Sequence, residues 1–396
     1  MRYLLLVWIG LPLLGFAQQP RKLVYDFNQC RLTEQSLSGD PLIAQNPAVC
    51  ACGLEQEAIQ LNGQSLILPT ASVDTFFHGN FSFGFSVMLE QGVGNLDLLS
   101  KMRACNTDTL WSVVYQPKDS NFVCTMQQGF DKIVQLVGKA DATKCWQQLV
   151  FTRSSGQIRM YVNGVLKDES NRNFILRLNN KSNIQFNNSP CSNVVNRSNG
   201  LLDRVFLANY SMNASEVQDE YVLQDQILTR DTLIFTGASF TLRAISDCAS
   251  QIRWTPAAGL SSASQLEPLA SPVRQTRYYL NIQHSFCSAF DSILVRVIDT
   301  SGIDCSAIRL PTAFSPNGDG LNDRFFISNA YIIEKLDYFD LMDRNGALIR
   351  RIQDPAESWD GSWNGKDLAP GTYYYRIAYS CKGENFKTKG SFFLMR

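Results

Sequence analysis

The sequence contains very little histidine and no excess of either charge. Its 396 residues include 2 histidines, 36 basic and 36 acidic residues, so the formal net charge is zero. Because nucleic acids and anionic membranes attract clustered positive charge, this balance gives no electrostatic reason to expect either partner. His78 and His284 lie far apart in the chain, which argues against a His-x-x-x-His zinc site and against a Ser-His-Asp triad.

Other signatures of enzymes are also missing. Gly92 and Gly94 lack the third glycine and the following helix that a dinucleotide-binding loop requires. A retaining glycosidase needs two carboxylates about 5 Å apart, and no strand-like segment carries such a pair in alternation. Glu55 and Glu57 are the nearest imitation, but they lie beside two cysteines, where solvated carboxylates are the ordinary interpretation. We therefore predict a protein without enzymatic activity.

Long apolar runs are confined to the N-terminus. Arg2 precedes an apolar run from Leu4 to Phe16, which ends at the small-x-small sequence Gly15-Phe16-Ala17. This pattern predicts a secretory signal peptide over residues 1–17. No later stretch reaches the roughly 18 consecutive apolar residues of a membrane helix, so we expect no transmembrane segment after signal removal.

The sequence is rich in cysteine, which predicts disulfide bonds if the chain is exported. The sequence has 11 cysteines, which in an oxidising compartment form structural disulfides more often than metal sites, and an odd number leaves at least one unpaired. From spacing alone, we expect pairs within the N-terminal half of the chain: Cys105 with Cys124, Cys145 with Cys191, and Cys30 with Cys50 or Cys52.

The remaining pattern predicts an all-β protein of three segments, residues 18–226, 227–299 and 300–396. Short runs of aromatic and β-branched residues alternate with clusters of Gly, Asn, Asp and Pro throughout. The run Gln157 to Leu166 contains Asn163-Gly164, which predicts a β-hairpin. Asn213 and Glu216 have the spacing of a capping box, which predicts one short helix.

The first segment carries a series of family landmarks in order. They are Leu23 to Phe27, Ile59 to Gly63, Phe81 to Val87, Cys145 to Phe151, Tyr161 to Gly164 and Gly200 to Phe206. Together they resemble the laminin-G-like, pentraxin-like group of concanavalin-type jelly rolls. The resemblance implies a β-sandwich, a fold that serves lectins, adhesion modules, inert spacers and glycan hydrolases alike.

Calcium and sugars are the ligands that such a fold suggests. Calcium takes six to eight oxygens, usually with several carboxylates, whereas Asn187 to Cys191 offers only amides where pentraxin-like relatives carry an acidic cluster. We keep Asp26 and Asp203 as weak calcium candidates, with turn formation as the competing interpretation. Sugar-stacking candidates are the loop aromatics, although aromatics in strands usually pack inward. These are Phe76, Phe77, Trp111, Phe122 and Phe130.

The second segment resembles small immunoglobulin-like, PKD-like modules. The residues that carry this resemblance are Trp254-x-Pro256, Gly259-Leu260, Pro272, Tyr278-Tyr279 and Asp291-Ser292-Ile293. The resemblance implies a spacer, with glycan binding through Tyr278 or Tyr279 as the alternative. Cys248 and Cys287 would form its disulfide beside a buried Trp254.

The third segment begins with the sequence LPTAFSPNGDGLND. Its landmarks are Pro316, Asn317, Gly318, Asp319, Gly320, Asn322, Asp323, Trp359-Asp360-Gly361, Gly371 and Tyr373. In this order they resemble the gliding-motility-associated C-terminal domain, the type B sorting domain of the bacterial type IX secretion system. The resemblance implies docking on the outer-membrane secretion machinery. Asp319 and Asp323 are weak calcium candidates, since an Asx-turn string is the favoured interpretation of these residues. Cys305 would pair with Cys381.

Taken together, these patterns predict a secreted or cell-surface binding or adhesion protein. It would recognise a glycan or another surface ligand through the first segment and leave the cell through the third. No cofactor is predicted, apart from the weak calcium candidates. The alternatives are a glycan hydrolase whose carboxylates come from separate strands, and an inert structural protein.

Overall fold

The computed structural model describes residues 20–35, 40–69, 74–90, 92–105, 109–191, 193, 195–299 and 301–395. The predicted signal peptide lies outside these residues. The chain forms two compact units, Met1–Val297 and Ile298–Arg396. Strands make up 47% of the structure and helices 4%, which confirms the all-β prediction.

The first unit begins with a jelly roll of two facing sheets. Its strands are β1 Lys22–Tyr25, β2 Ile43–Ala44, β3 Cys50–Cys52, β4 Glu57–Gln60, β5 Leu66–Leu68, β6 Phe81–Leu89, β7 Leu96–Lys101, β8 Thr109–Gln116, β9 Asn121–Gln128, β10 Lys132–Lys139, β11 Trp146–Ser154, β12 Gln157–Val162, β13 Val165–Asn171, β14 Ile184–Phe186, β15 Asn196–Arg197 and β16 Gly200–Ala208. Helix α1, Ala214–Asp219, follows, and short 3-10 helices span Asn28–Cys30 and Asp74–Phe77.

The two sheets enclose the core between them. Sheet A has the order β13-β12-β11-β6-β16-β4-β3, with β1 beside β16, and sheet B has the order β10-β9-β8-β7-β14-β5-β2, with β15 beside β7. Alternate aromatic residues of β6 and β8 point inward, because successive side chains of a strand face opposite sides. Phe83 and Trp111 are fully buried and pack edge to face at 5.0 Å between ring centroids.

The local predictions for the hairpin and the helix are confirmed. Val162 pairs with Val165 across Asn163-Gly164, where both turn residues have positive φ. Helix α1 has a capping box, in which Asn213 Oδ1 accepts hydrogen bonds from the amides of Ser215 and Glu216, and the Glu216 carboxylate accepts from the Asn213 amide.

A second, smaller β-module completes the first unit. Its strands are β17 Gln226–Ile227, β18 Thr232–Phe235, β19 Phe240–Thr241, β20 Ala244–Ile245, β21 Gln251–Thr255, β22 Leu269–Ala270, β23 Thr276–Gln283 and β24 Ser288–Ile298. They form a four-stranded sheet, β18-β24-β23-β21, and two strand pairs, β17-β20 and β19-β22. Trp254 and Tyr278 are buried in its core, and each donates one hydrogen bond to a backbone carbonyl.

The second unit is a single small domain. Its strands are β25 Ala313–Phe314, β26 Lys335–Met342, β27 Leu348–Ile352, β28 Ser362–Trp363, β29 Lys366–Asp367, β30 Gly371–Cys381 and β31 Glu384–Leu394, with a 3-10 helix at Ala330–Ile332. The main sheet has the order β25-β31-β30-β26-β27. Phe325 stacks on Phe392 at 3.8 Å between ring centroids, and Trp359 packs beside both.

The disulfides differ from the expected pattern at three of the pairs. Among the described residues the bonds are Cys30–Cys50, Cys52–Cys248, Cys105–Cys191, Cys145–Cys287 and Cys305–Cys381. The expected pairs Cys105–Cys124, Cys145–Cys191 and Cys248–Cys287 are therefore wrong. Cys124 is a free thiol, because its side chain on β9 points into the jelly-roll core.

Candidate functional site

The outer face of sheet A is covered by other parts of the first unit. Near one end of β6, Met88 and Trp146 belong to a buried apolar cluster that also contains Leu242 and Trp254 of the second module. Further along the face, Val150 packs with residues of the segment that carries helix α1. Sheet A therefore offers no broad free surface for a ligand.

A buried polar network holds the second module against the jelly roll. Lys144 Nζ donates to the carbonyls of Gln224 and Asp225 at 3.4 and 3.1 Å. Asp225 Oδ1 in turn accepts from Ser246 Oγ at 2.6 Å and lies 2.9 Å from His284 Nε2. Burial lowers the pKa of Lys144, and the nearby carboxylates oppose that shift. These contacts lie on the chain segment that joins the two modules.

This network is structural rather than catalytic in its geometry. Ser246 bonds to Asp225 and not to His284, so the histidine is not placed to remove a proton from the hydroxyl. Cys145 lies close to Asp225 and His284, but its sulfur is bonded to Cys287. A disulfide sulfur is not the thiolate that a metal ion requires.

The outer face of sheet B carries a transverse row of polar side chains. In strand order the row is Gln185, Ser100, Ser112, Thr125 and Gln135, each paired with the next across β14, β7, β8, β9 and β10. Because neighbouring strands lie about 4.8 Å apart, five strands give a row of roughly 19 Å. Gln135 is exposed, Gln185, Ser112 and Thr125 are half-buried, and Ser100 is fully buried.

A second row runs beside the first and ends at a buried carboxylate. Asp97 pairs with Val114, which is followed across the sheet by Val123 and Val137. Val137 is 41% exposed, whereas Asp97 is only 1% exposed. Neither carboxylate oxygen of Asp97 has a hydrogen-bond partner within the described ranges. Burial raises the pKa of Asp97 to about 7, although the Ser189 and Asn188 amides and Arg197 act in the opposite direction.

The sugar-stacking candidates are mostly core residues. Phe76, Phe77, Trp111 and Phe122 are each at most 2% exposed. Phe130 is 84% exposed, at the turn between β9 and β10. The alternation of β8 and β9 indicates that some of these aromatics face inward, but the sequence alone does not say which face of a strand meets the core.

In the first unit, the oxygens of the two weak calcium candidates are already engaged. Asp203 accepts from the amides of Leu54 and Arg204 at 2.8 and 2.7 Å, and burial raises its pKa to about 7. Asp26 accepts from the Asn28 amide and from the Asn28 and Gln35 side chains. These contacts fit a backbone anchor and a turn better than a calcium cage.

In the second unit, the Asn-Gly-Asp-Gly run forms Asx turns. Asp319 Oδ1 accepts from the Leu321 amide at 2.7 Å, and its other oxygen accepts from Asn317 Nδ2 at 2.8 Å. Asp323 accepts from the amides of Gly318 and Gly320 at 2.7 and 2.8 Å. The Leu321 amide, followed by Asn317, lowers the pKa of Asp319. All four carboxylate oxygens are therefore used by the turn itself.

The later family landmarks of the second unit stabilise its loops through hydrogen bonds and turn conformations. Trp359 is buried and its indole nitrogen donates to the Ser362 carbonyl at 2.8 Å, while Asp360 Oδ1 accepts from the Ser362 amide. Gly361 adopts φ of 80°, a left-handed conformation that favours glycine. The Tyr373 hydroxyl donates to the Ala369 carbonyl just before Gly371.

Sequence reasoning did not find the ion pairs on the outer face of this domain. Asp340 is fully buried and accepts from Arg351 and Arg376, which approach from the neighbouring strands β27 and β30. These hydrogen bonds hold the pKa of Asp340 below its usual range. The position of Asp340 in the middle of a hydrophobic strand could have indicated from the sequence that its carboxylate needs a partner.

Two protein-family models match separate regions of the chain. The CHU_C type IX secretion signal domain matches residues 308–394, and the concanavalin A-like lectin/glucanases superfamily, as Laminin_G_3, matches residues 62–218. Both resemblances drawn from the sequence are therefore confirmed. No curated protein sequence shows significant similarity to the chain. In the part that the structure describes, no helix has the length and apolar character needed to cross a membrane.

Several solved structures match the chain at low TM-scores. Domain 4 of AbnA, an extracellular arabinanase from Geobacillus stearothermophilus, is 20% identical with a TM-score of 0.40, over 50% of this chain and 97% of that one. The CBM40 of a Ruminococcus gnavus IT-sialidase is 11% identical with a TM-score of 0.34, over 45% and 98%. The binding domain of Paraclostridial Mosquitocidal Protein 1 is 17% identical with a TM-score of 0.44, over 92% and 87%.

Proposed function

We propose that this chain is an exported binding protein that recognises a glycan at the cell surface or outside the cell. The proposal rests on the difference in exposure between the outer faces of the two jelly-roll sheets. Sheet A is covered by the second module and helix α1, whereas sheet B presents Ser112, Thr125 and Gln135 of the polar row at its surface. The jelly roll therefore keeps one broad face for a partner.

The chemistry of that face suits a sugar. Hydroxyl and amide side chains both donate and accept hydrogen bonds, as sugar hydroxyls do. Gln135 Nε2 is 3.4 Å from Thr125 Oγ1, so two neighbouring groups of the row are already oriented toward one another. The adjacent valines supply apolar surface for the C–H face of a sugar ring. A row of roughly 19 Å is long enough for an extended ligand.

We also propose that the protein binds without hydrolysing its ligand. A glycosidase needs two carboxylates about 5 to 9.5 Å apart on either side of the scissile bond. Within the described strands, the two rows on sheet B include one carboxylate, Asp97, and it is buried beneath loops. This arrangement favours recognition over catalysis.

A glycan array with the full chain and two variants tests the binding proposal. Thr125→Ala with Gln135→Ala should weaken binding about thirtyfold, since two lost hydrogen bonds of roughly 1 kcal/mol each contribute about 2 kcal/mol together. Thr241→Ala with Gln265→Ala removes the same residue types from the second module and should bind normally. No binding to any glycan, with or without calcium, would reject the proposal.

Export by the type IX secretion system is the second part of the proposal. The C-terminal domain match supports it. Residues 301–396 should carry a reporter with an N-terminal export signal across the outer membrane of a competent host. A reporter that stays in the periplasm would refute this role.

A further inference from the structure

A groove lies between the jelly roll and the second module, beside the Cys145–Cys287 disulfide that joins them. One part of it, a cleft of about 740 Å³, lies between the β8–β9 turn and the Ala140–Cys145 loop on one side and the β23–β24 hairpin on the other. A second part of about 410 Å³ continues along the hairpin and shares Lys144 and Phe290 with the first. Each volume is within the range of small-molecule sites. We call the two parts together the inter-module groove.

Two exposed aromatic rings form one wall of the groove. Tyr279 is 55% exposed and Phe290 is 50% exposed, and both line the second part of the groove. Asn281 pairs directly with Phe290, and Tyr279 pairs with Ser292, so all four side chains share the outward face of β23 and β24. Diagonal neighbours across two antiparallel strands are about 7 to 8 Å apart. The rings therefore form a short platform rather than two isolated contacts.

Polar groups border this platform. Asn281 is half-buried on the same outward face, paired with Phe290 and two residues from Tyr279, and its amide can both donate and accept hydrogen bonds. Within the part of the chain that the structure describes, neither the Asn281 amide nor the Tyr279 hydroxyl is engaged by another side chain. Rings flanked by unengaged amide and hydroxyl groups fit sugar rings, which present C–H faces and equatorial hydroxyls.

The charge of the groove selects among sugars. Glu90 and Asp141 are exposed carboxylates that line the cleft, and Asp291 lines its continuation. Lys144 is the one cation among the described residues that line the two parts, and its ammonium group is directed to the Gln224 and Asp225 carbonyls and the Gln226 side chain. Arg277 borders the platform, where its guanidinium donates to Ser292 Oγ at 3.4 Å. An anionic sugar would therefore meet repulsion, whereas an uncharged one would not.

The two walls are fixed relative to each other. The Cys145–Cys287 disulfide crosses the groove floor, and the Phe290 amide donates to the Thr143 carbonyl at 3.0 Å. Gln147 holds the loop before Cys145 through the Asp141 amide and two carbonyls. A ligand would meet a preformed surface, which lowers the entropy cost of binding.

We propose that the inter-module groove binds an uncharged oligosaccharide, with sugar rings stacked on Tyr279 and Phe290 and hydroxyls bonded to Asn281. The second module is then part of the binding surface and not a spacer. This inference rests on the proposed glycan-binding function but places the ligand on a different surface from sheet B.

Calorimetric titration of the full chain tests the inference. The probes are cellohexaose, mannohexaose and xylohexaose as uncharged chains, and 3′-sialyllactose as an anionic comparison. Tyr279→Ala with Phe290→Ala should weaken binding of at least one hexasaccharide about tenfold, as loss of an aromatic anchor does at other interfaces. Tyr279→Phe keeps the ring and removes only the hydroxyl, so it should weaken binding less than the double alanine variant. Phe130→Ala removes an exposed ring of the jelly roll and is the matched control.

The outcomes separate the two proposals. Weakened binding in the Tyr279 and Phe290 variant, with normal binding in the Thr125 and Gln135 variant, supports the groove. Normal binding in the Tyr279 and Phe290 variant, with weakened binding in the Thr125 and Gln135 variant, supports glycan binding by sheet B and contradicts binding in the groove. Preference for 3′-sialyllactose, or no binding of any hexasaccharide, also overturns it, and the glycan array then decides separately on the proposed function. Unchanged thermal unfolding of each variant excludes misfolding as the cause.

Discussion

Cys145, at the start of β11 in the jelly roll, is bonded to Cys287 in the β23–β24 hairpin of the second module. A second bond, Cys52–Cys248, joins the same two modules from a different strand. Two covalent links between the modules, together with the Lys144 network, make the first unit a single mechanical body. A second module joined by a flexible linker would need neither the two disulfides nor the Lys144 network.

Removing one of these links should loosen the second module. We expect Cys52→Ser with Cys248→Ser to lower the free energy of unfolding by about 2 to 4 kcal/mol, since the bond closes a long loop. Thermal unfolding measures the loss, and proteolysis should cut sooner within residues 225–235. Cys30→Ser with Cys50→Ser is the control, because that bond lies within the jelly roll and does not join the two modules. Equal proteolysis rates in both variants would contradict the prediction.

The cysteine pairing shows what the sequence could not provide. Spacing favours pairs within a segment, because short loops are easier to close than long ones. The surface on which one module meets another depends on packing such as that of Met88 and Trp146, which leaves no periodic pattern in the chain. The fold classes were predictable, because strand alternation and ordered landmarks are local in sequence.

The same limit applies to exposure. Alternation along β23 predicts that Tyr278 and Tyr279 face opposite sides, and the structure buries Tyr278 while Tyr279 is 55% exposed. Which of the two is inward depends on the sheet that covers them. The groove therefore could not be predicted from the sequence, because it depends on which face of β23 is left uncovered.

The jelly-roll core should depend strongly on Trp111. Its ring is fully buried and contacts Phe77, Phe83 and Phe151 edge to face. We expect Trp111→Ala to cost about 3 to 5 kcal/mol of unfolding free energy, through lost burial and a large cavity. Phe130→Ala should change it by less than about 0.5 kcal/mol, as for other exposed positions. Chemical denaturation compares them, and similar midpoints would argue against this assignment of core and surface.

Asp97 should make stability depend on pH. Its pKa is about 7 in the folded protein and about 3.9 when unfolded, so the folded state binds more protons between these values. Stability should therefore fall as the pH rises from about 4 to 7. Asp97→Asn removes the buried charge, and we expect it to be more stable than the parent at pH 8, on the order of 2 kcal/mol, but not at pH 4.

Thermal unfolding at several pH values checks this prediction. Asp131→Asn is the matched control, because Asp131 is exposed in the β9–β10 turn. Asp203 also has a pKa of about 7, so some pH dependence should persist in the Asp97 variant. A variant with the full pH dependence of the parent would show that Asp97 ionises without cost.

The stability of the second unit should depend on the ionisation of Asp340, and it should fall as the pH falls, opposite to the effect of Asp97. Its pKa is lowered, first by the hydrogen bond from Arg351 and then by Arg376, so its stabilising effect is present above its ordinary pKa and is lost as the pH falls below about 4. Asp340→Asn removes the negative charge and one of the two acceptor oxygens, so the three hydrogen bonds from Arg351 and Arg376 cannot all persist. We expect a loss of about 1 to 3 kcal/mol, because hydrogen bonds to charged groups exceed neutral ones.

Hydrogen exchange resolves this change within the full chain. Peptides from β26 and β30 should exchange faster in Asp340→Asn, while jelly-roll peptides stay unchanged, because the two units have separate cores. Asp337→Asn is the control, since Asp337 pairs with Lys335 at 3.3 Å on the surface and such pairs contribute about 0 to 1 kcal/mol. If both variants exchange alike, the buried position of Asp340 gives it no special role, and the two arginines are held by solvent instead.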